Sequence, residues 1–467
     1  MIAVAIPTTF ALEELAAAAN GTLVTGRADR EISGISIDTR TLAPGDLFVA
    51  VAGPRFNGHD FLANASAKGA VAAFVSQDVV APPGLDLVRV ADTTDALGDL
   101  ARHMRLASGL PVVAVTGSVG KTTTKDMAAA LLATRGPVLK TEGNLNNRYG
   151  VPLTLFRLKP EHTAAALELG MSAAGELSVL TRMARPDVAV ITNVAPVHLE
   201  FFASVDAIAR AKAEILEGLR PFGAAVLNFD DPLVRAIGEG HRGDVVWFGR
   251  DRRCDVSAES LRGTPHGVRF DLWLEGKGFD VALPLAGFHF VSNFLAAAAA
   301  ALRLGIAPEA IAEAASRLTP APHRGQALRL RQGVTLIDDS YNSNPVAVDA
   351  AITSLEMAAP GRRIAFLGDM LELGKDAIRL HEETGARIAP RVQALVGVGP
   401  LSAALVKGAG KAGLQTSGLH WFPDAAQAAE AAGLVEPGDA VLVKGSRGIR
   451  MEQVVDALVA RFGLVEA

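Results

Sequence analysis

The stretch Val112-Val113-Ala114-Val115-Thr116-Gly117-Ser118-Val119-Gly120-Lys121-Thr122-Thr123 constrains this chain more than any other. An apolar β-type run enters a glycine-rich turn, and a lysine and hydroxyl residues then open a helix. This strand–turn–helix unit calls for a parallel α/β sheet. It lets main-chain amides turn inward around an anion, and the helix N-terminus adds positive potential. Lys121 is placed to reach the β- and γ-phosphates, and the Thr122 hydroxyl to ligate Mg²⁺. Val115 stands where the general motif has a glycine, so the loop is the shortened form TGxxGKT. Thr116, Gly117, Ser118, Val119, Gly120, Lys121, Thr122 and Thr123 are therefore expected to bind a nucleoside triphosphate.

The 467 residues suggest about three domains. A polar break at Ala107-Ser108-Gly109 precedes the loop strand, and two prolines in Leu318-Thr319-Pro320-Ala321-Pro322-His323 forbid a continuing helix. The expected domains are 1–108, 109–318 and 319–467. In the second, buried strands are predicted at 112–116, 164–169, 187–192 and 224–228. In the third, strands at Val334–Asp338, Ile364–Gly368, Ala394–Val398 and Ala440–Val443 alternate with helices, which predicts a second, doubly wound α/β unit.

Composition excludes several function classes. The net charge of −5 and the lack of a broad basic face argue against nucleic acid as the partner. The cluster Arg250, Arg252, Arg253 is interrupted by Asp251 and reads as a solvated loop. Cys254 is the only cysteine, so no intramolecular disulfide forms, in keeping with a reducing cytoplasm. Glu13 and Glu14 do not suit a secretory leader. The alanine run Leu295–Leu302 falls far short of the ~20 residues that cross a bilayer, so no membrane insertion is expected.

Three further side chains draw attention. Glu168 ends the apolar stretch Ala164–Leu167, at the sheet edge where α/β proteins bind ligands; it is a metal ligand or a strand-terminal glutamate in solvent. His198 follows a similar strand, as a ligand or as a packed or capping histidine. Residues 205–219 read as one amphipathic helix, with Val205, Ile208, Ile215, Leu216 and Leu219 on one stripe and Lys212 near its middle. A lysine there either snorkels to solvent or is a neutral, reactive amine.

These pieces, in this order, resemble the Mur ligase family, which builds the peptide stem of peptidoglycan, and the likeness runs along essentially the whole chain. The resemblance implies a UDP-binding N-terminal α/β module, a central P-loop ATPase-like sheet and a Rossmann-like C-terminal domain. It implies ATP and Mg²⁺ as cofactors, with Thr122, Glu168 and His198 at positions tied to the metal. Lys212 matches a lysine that several members carbamoylate, and both readings of it stay open. Gly287-Phe288-His289-Phe290-Val291-Ser292-Asn293 resembles the family's GxHNxxN segment, with Asn293 toward the adenine and Phe290 in place of an asparagine. Arg324 matches the arginine that reaches the γ-phosphate. Asp338-Asp339-Ser340-Tyr341-Asn342-Ser343-Asn344-Pro345 resembles the segment that meets the ribose, with Asp339 toward the nucleotide and Tyr341 and Asn342 toward substrate; Asn344 and Pro345 also suit a helix N-cap and first turn.

On the substrate side, Asp38-Thr39-Arg40 resembles the uridine-diphosphate contact, through Thr39 and Arg40. Thr141-Glu142-Gly143-Asn144-Leu145-Asn146-Asn147 supplies Asn144, Asn146 and Asn147, followed by an unusual Arg148-Tyr149. The blocks Leu367-Gly368-Asp369-Met370-Leu371-Glu372-Leu373-Gly374 and Val443-Lys444-Gly445-Ser446-Arg447 point to ligation of D-alanyl-D-alanine to UDP-N-acetylmuramoyl-tripeptide. Lys444 or Arg447 is expected to meet the dipeptide carboxylate. The resemblance implies a cytoplasmic monomer that acts through an acyl-phosphate.

Overall fold

The structure is a computed structural model and describes residues 9–53, 56–196, 200–264, 267–358 and 361–465. It forms two compact units. The first gathers Met1–Thr116, Leu132–Ala189 and Ala211–Ala225; the second gathers Gly117–Leu131, Val190–Arg210 and Val226–Ala467.

The first unit opens with a five-stranded sheet in the order Thr22–Thr25, Asp86–Arg89, Ala72–Val75, Asp46–Val49, Gly34–Ser36. Only the first pairing is antiparallel. Side chains alternate across a strand, so Leu47, Val49 and Phe74 face one core while Phe48, Ala73 and Val75 face another. Asp92 caps the helix Thr93–Ser108 by accepting from the Thr94 and Asp95 amides, and Gly109 ends it at φ 63°. That helix buries Arg105 completely. Its guanidinium donates to the Ala184 and Arg185 carbonyls and to Asp187, which also accepts from the Val112 amide. Burial pulls this arginine down to about 10. Val112–Thr116, Ala164–Glu168 and Val138–Lys140 complete the unit as parallel strands, with Glu168 level with Val115.

The helix expected over 205–219 is shorter. It is α-helical over Val205–Ala213 and tightens to a 3₁₀ turn over Glu214–Gly218. The reason lies in its neighbour. Thr181 Oγ1 donates to the Ile215 carbonyl (2.7 Å), and Glu214 turns back to accept from the Gly175 and Ser178 amides. Thr181 thus claims the Ile215 carbonyl, and the Glu214 carboxylate ties the tightened turn to its neighbour.

The second unit contains an antiparallel ribbon not expected from the sequence: Val256–Thr264, Gly267–Leu274 and Lys277–Leu283. Val268, Phe270, Leu272 and Leu274 are buried on one face. Its two-residue turn, Glu275-Gly276, has φ of 50° and 76°, the primed geometry that matches strand twist. The helix Phe288–Arg303 packs on it, with Phe294 edge-on to Phe270, and carries the alanine run as a buried face. Among the described residues no helix is long and apolar enough to cross a membrane.

The expected doubly wound unit is present. Its six strands run Gln326–Arg329, Thr335–Asp339, Ala440–Lys444, Arg363–Gly368, Ala394–Val398, Leu419–Phe422, and only the first pairing is antiparallel. The last strand in the chain fills the slot between Thr335–Asp339 and Arg363–Gly368. The carboxyl ends of these three strands therefore lie side by side, where open α/β sheets leave their crevice.

Candidate active site

Val112–Thr116 is buried throughout and delivers the chain into the loop. Gly117 has φ 152° and Gly120 φ 85°; a Cβ at either would collide, with Thr192 Oγ1 and Asn293 Oδ1 respectively. Both glycines are therefore required by close approach as well as by dihedral.

Asn193, two residues past the end of the buried strand Val188–Ile191, braces the loop. Its carbonyl accepts from Ser118 N (3.0 Å), its Oδ1 accepts from Val119 N (2.9 Å), and its Nδ2 donates to the Val119 carbonyl (3.0 Å). Ser118 Oγ adds a two-way bond with Ala195, donating to its carbonyl and accepting from its amide. This corrects one expectation. The Ser118 and Val119 amides face their brace, which leaves Gly120 and the first turn of the helix Lys121–Leu132 as the part of the loop whose amides point outward. Lys121 Nζ donates to the Gly117 carbonyl (2.9 Å). Asn293 is buried beside this turn, and its Oδ1 accepts from Thr124 Oγ1 (3.4 Å).

In the first unit, Glu168 is only 4% exposed, so the solvent-facing reading does not hold. Its Oε1 accepts from Asn146 Nδ2 (2.8 Å) and its amide donates to Thr141 Oγ1 (3.0 Å). Asn147 Oδ1 accepts from the Tyr149 and Gly150 amides and starts the helix Gly150–Leu155; Asn144 is exposed. Of the unusual pair, Arg148 meets Asp95 (3.1 Å) and Tyr149 packs on the N-terminal core. Lys212 is 1% exposed and does not snorkel. Thr39 and Arg40 lie in the loop after Gly34–Ser36, with Arg40 forked onto Asp38 and otherwise in solvent. His198 lies outside the described residues.

In the second unit, Arg324 stacks on Tyr341, its Cζ 4.0 Å from the ring centroid, and Arg447 approaches the same ring at 5.8 Å. Lys444, assigned from the sequence to the dipeptide, has another task. It is buried and donates to Asp339 Oδ2 (2.6 Å) and to the Asn342 carbonyl (2.8 Å), tying two strand ends together. Beside them, burial pushes His289 down to about 4, so its imidazole is neutral at physiological pH. Cys254 is buried too, and its thiol is pushed up to about 12, as suits a structural residue.

Sequence reasoning missed Asn193, His289 and the pair His323–Asp338. The one available signal for Asn193 was a polar residue just past a fully apolar strand.

Models of three domains match in chain order. The Mur ligase family catalytic domain matches residues 31–105, the Mur ligase middle domain 115–301, and the Mur ligase glutamate ligase domain 323–447. The chain belongs to the Mur ligase family. The UDP-N-acetylmuramoyl-tripeptide--D-alanyl-D-alanine ligase of Escherichia coli K12 is 39% identical over 439 residues, covering 92% of this chain and 94% of its own. The enzyme of that name from Bacillus subtilis is 35% identical over 456 residues, covering 96% and 98%. The crystal structure of MurF from Acinetobacter baumannii superposes with a TM-score of 0.89 at 33% identity, covering 98% of this chain and all of that one. The fold is thus the three-domain Mur ligase fold, with N-terminal, central ATPase-like and C-terminal Rossmann-like parts.

Proposed function

We propose that this Mur ligase joins D-alanyl-D-alanine to UDP-N-acetylmuramoyl-tripeptide with ATP, giving the UDP-pentapeptide, ADP and phosphate. One observation carries the reading: the near full-length match to ligases of that name, together with a built phosphate loop at Gly117–Lys121. A carboxylate does not condense with an amine at neutral pH, because its oxygen is a poor leaving group. Transfer of the γ-phosphoryl group to the tripeptide carboxylate makes an acyl-phosphate. The dipeptide amine then attacks the carbonyl, and phosphate leaves with the C–O bond.

The chain's residues orient and neutralise rather than react. Lys121 and Arg324 offset charge on the γ-phosphoryl group, and Thr116–Thr123 cradle the nucleotide with Asn293 toward its base. Asp339 takes the ribose side, and Tyr341 and Asn342 the substrate side. Thr39 and Arg40 take the uridine diphosphate, and Asn144, Asn146 and Asn147 the sugar-peptide. Arg447, with Lys444 committed to Asp339, is the cation for the dipeptide carboxylate. The corresponding domains are 1–108, 109–318 and 319–467. The family resemblance implies a cytoplasmic monomer as the working unit.

A buried carboxylate and a hydroxyl are the hard oxygen donors Mg²⁺ prefers, and this cation keeps its other positions for water and phosphate oxygens. Thr122 and Glu168 fit it, with His198 and Lys212 as further holders; when bound, it neutralises the β- and γ-phosphates. The buried site of Lys212 supports the carbamate reading: the amine adds CO₂, loses a proton and becomes an anion with two oxygen donors. Lys212→Ala is then largely inactive, and added short carboxylates restore turnover; full activity without them refutes the reading.

The test of function is ADP release with each substrate omitted in turn and the product weighed by mass spectrometry. ADP and a pentapeptide mass only when all are present support it. ADP without that product refutes the assigned specificity.

A further inference from the structure

The turn that carries Arg324 has an uncommon backbone. His323 and Gly325, on either side of it, both sit in the left-handed region, at φ 61° and 68°. A side chain is uncommon there, and histidine is among the few types that tolerate it. The strain is held by partners on two sides.

On the polar side, His323 Nδ1 donates to Asp338 Oδ2 (2.8 Å). Asp338 is buried, and Ser340 donates to its other oxygen through both Oγ (2.6 Å) and the amide (3.1 Å). The His323 carbonyl accepts from Tyr341 N (3.2 Å), and the Arg324 amide closes the turn on the Ala321 carbonyl (3.1 Å). The turn is thus joined to the segment that carries the ring beneath Arg324. On the apolar side, Phe290 is buried and lies against Gly325, where a Cβ would be 2.7 Å from its Cζ. It also lies beside His289, with ring centroids 4.1 Å apart. Arg324 itself forms no ion pair among the described residues: Tyr341 supports its face, while its N–H edges keep their charge for an anion.

We propose that His323 and Phe290 are positioning residues, which clamp this turn from its polar and apolar sides and hold Arg324 over Tyr341 to receive the γ-phosphate of ATP. The proposal rests on the reading of Arg324 given above. It also gives Phe290 a task where the family segment has an asparagine: a ring covers the glycine that an amide would leave exposed.

The test compares the affinity of a non-hydrolysable ATP analogue with that of ADP, which lacks the γ-phosphate. His323→Gly keeps the backbone conformation and deletes the bond to Asp338; Phe290→Ala deletes the ring. Each should weaken the analogue about tenfold relative to ADP, because small misplacement of a charged donor is costly. His323→Asn and Phe290→Leu should restore most of it. Unchanged ADP affinity reports that the variants are folded. On an Arg324→Ala background neither substitution should add further loss, since both act through that guanidinium. Equal weakening of both nucleotides, or losses that multiply with Arg324→Ala, overturns the clamp. If Arg324→Ala removes the preference for the analogue while His323→Gly and Phe290→Ala retain it, the clamp alone fails. If Arg324→Ala leaves the preference unchanged, the γ-phosphate reading fails and the clamp with it.

Discussion

The Gly117–Gly120 loop and the Ser340–Asn344 segment occupy equivalent places in two sheets. Each follows a buried parallel strand, Val112–Thr116 or Thr335–Asp339, and each opens a helix, Lys121–Leu132 or Pro345–Ala358. They are built by opposite means. The first turns on backbone conformation: two glycines at close approach, held by the Asn193 side chain, with the helix N-terminus directly after them. The second relies on side chains: Asp338 with His323, Asp339 with Lys444, and Asn344 Oδ1 already accepting from the Ala347 amide to cap its own helix. That cap takes the Ala347 amide, and Pro345 has no N–H, so this helix N-terminus keeps fewer donors for a phosphate. The same strand–turn–helix frame thus makes a glycine loop, the phosphate cradle of the proposed function, in one sheet and a side-chain platform in the other.

Substitutions can break that contrast. The largest effect is expected at Lys121→Ala, which removes the cation of the cradle and should abolish ligation while leaving thermal unfolding nearly unchanged; near-normal turnover would end the assignment. Next is Asn193→Ala. It deletes two side-chain bonds to Val119 and should raise the KM for ATP about tenfold, with little change in the KM for the dipeptide.

The platform should respond in stability instead. Lys444→Met strands the Asp339 carboxylate among strand ends and should cost about 2 kcal/mol, discounted for the partial exposure of Asp339. Adding Asp339→Asn should recover part of that loss, measured as the urea midpoint. If the double variant is no more stable than Lys444→Met, the pair is not what holds the platform. The smallest effect is expected at Asn344→Ala, about 1 kcal/mol for a lost cap, with nucleotide affinity almost unchanged. A large drop in that affinity would make Asn344 a ligand contact and erase the contrast between the two segments.

What the sequence made legible follows the same division. Backbone-driven features are local, so Val112–Thr116, Ala224–Asn228 and Ala394–Val398 fall where hydrophobic runs place them, and Gly117 and Gly120 read as obligatory. Features decided by distant partners do not. The tightened turn after Ala213 is held by Thr181 and Gly175, far away in sequence. Lys444 looks like a free cation in its motif, yet Asp339 lies 105 residues earlier. The ribbon of Val256–Leu283 was readable in its alternation and in Glu275-Gly276, but the expectation of a purely parallel sheet hid it. Asn193 braces the loop across a sequence gap of 74 residues, which no local pattern announces.

The central claim is that ATP activates the tripeptide carboxylate before the amine arrives. Tripeptide labelled with ¹⁸O in that carboxylate tests it directly, with the released phosphate examined by mass spectrometry. Passage through an acyl-phosphate puts one labelled oxygen into phosphate and keeps the other in the new amide carbonyl. Unlabelled phosphate beside pentapeptide product would contradict the account, because the bridging oxygen would then have come from water.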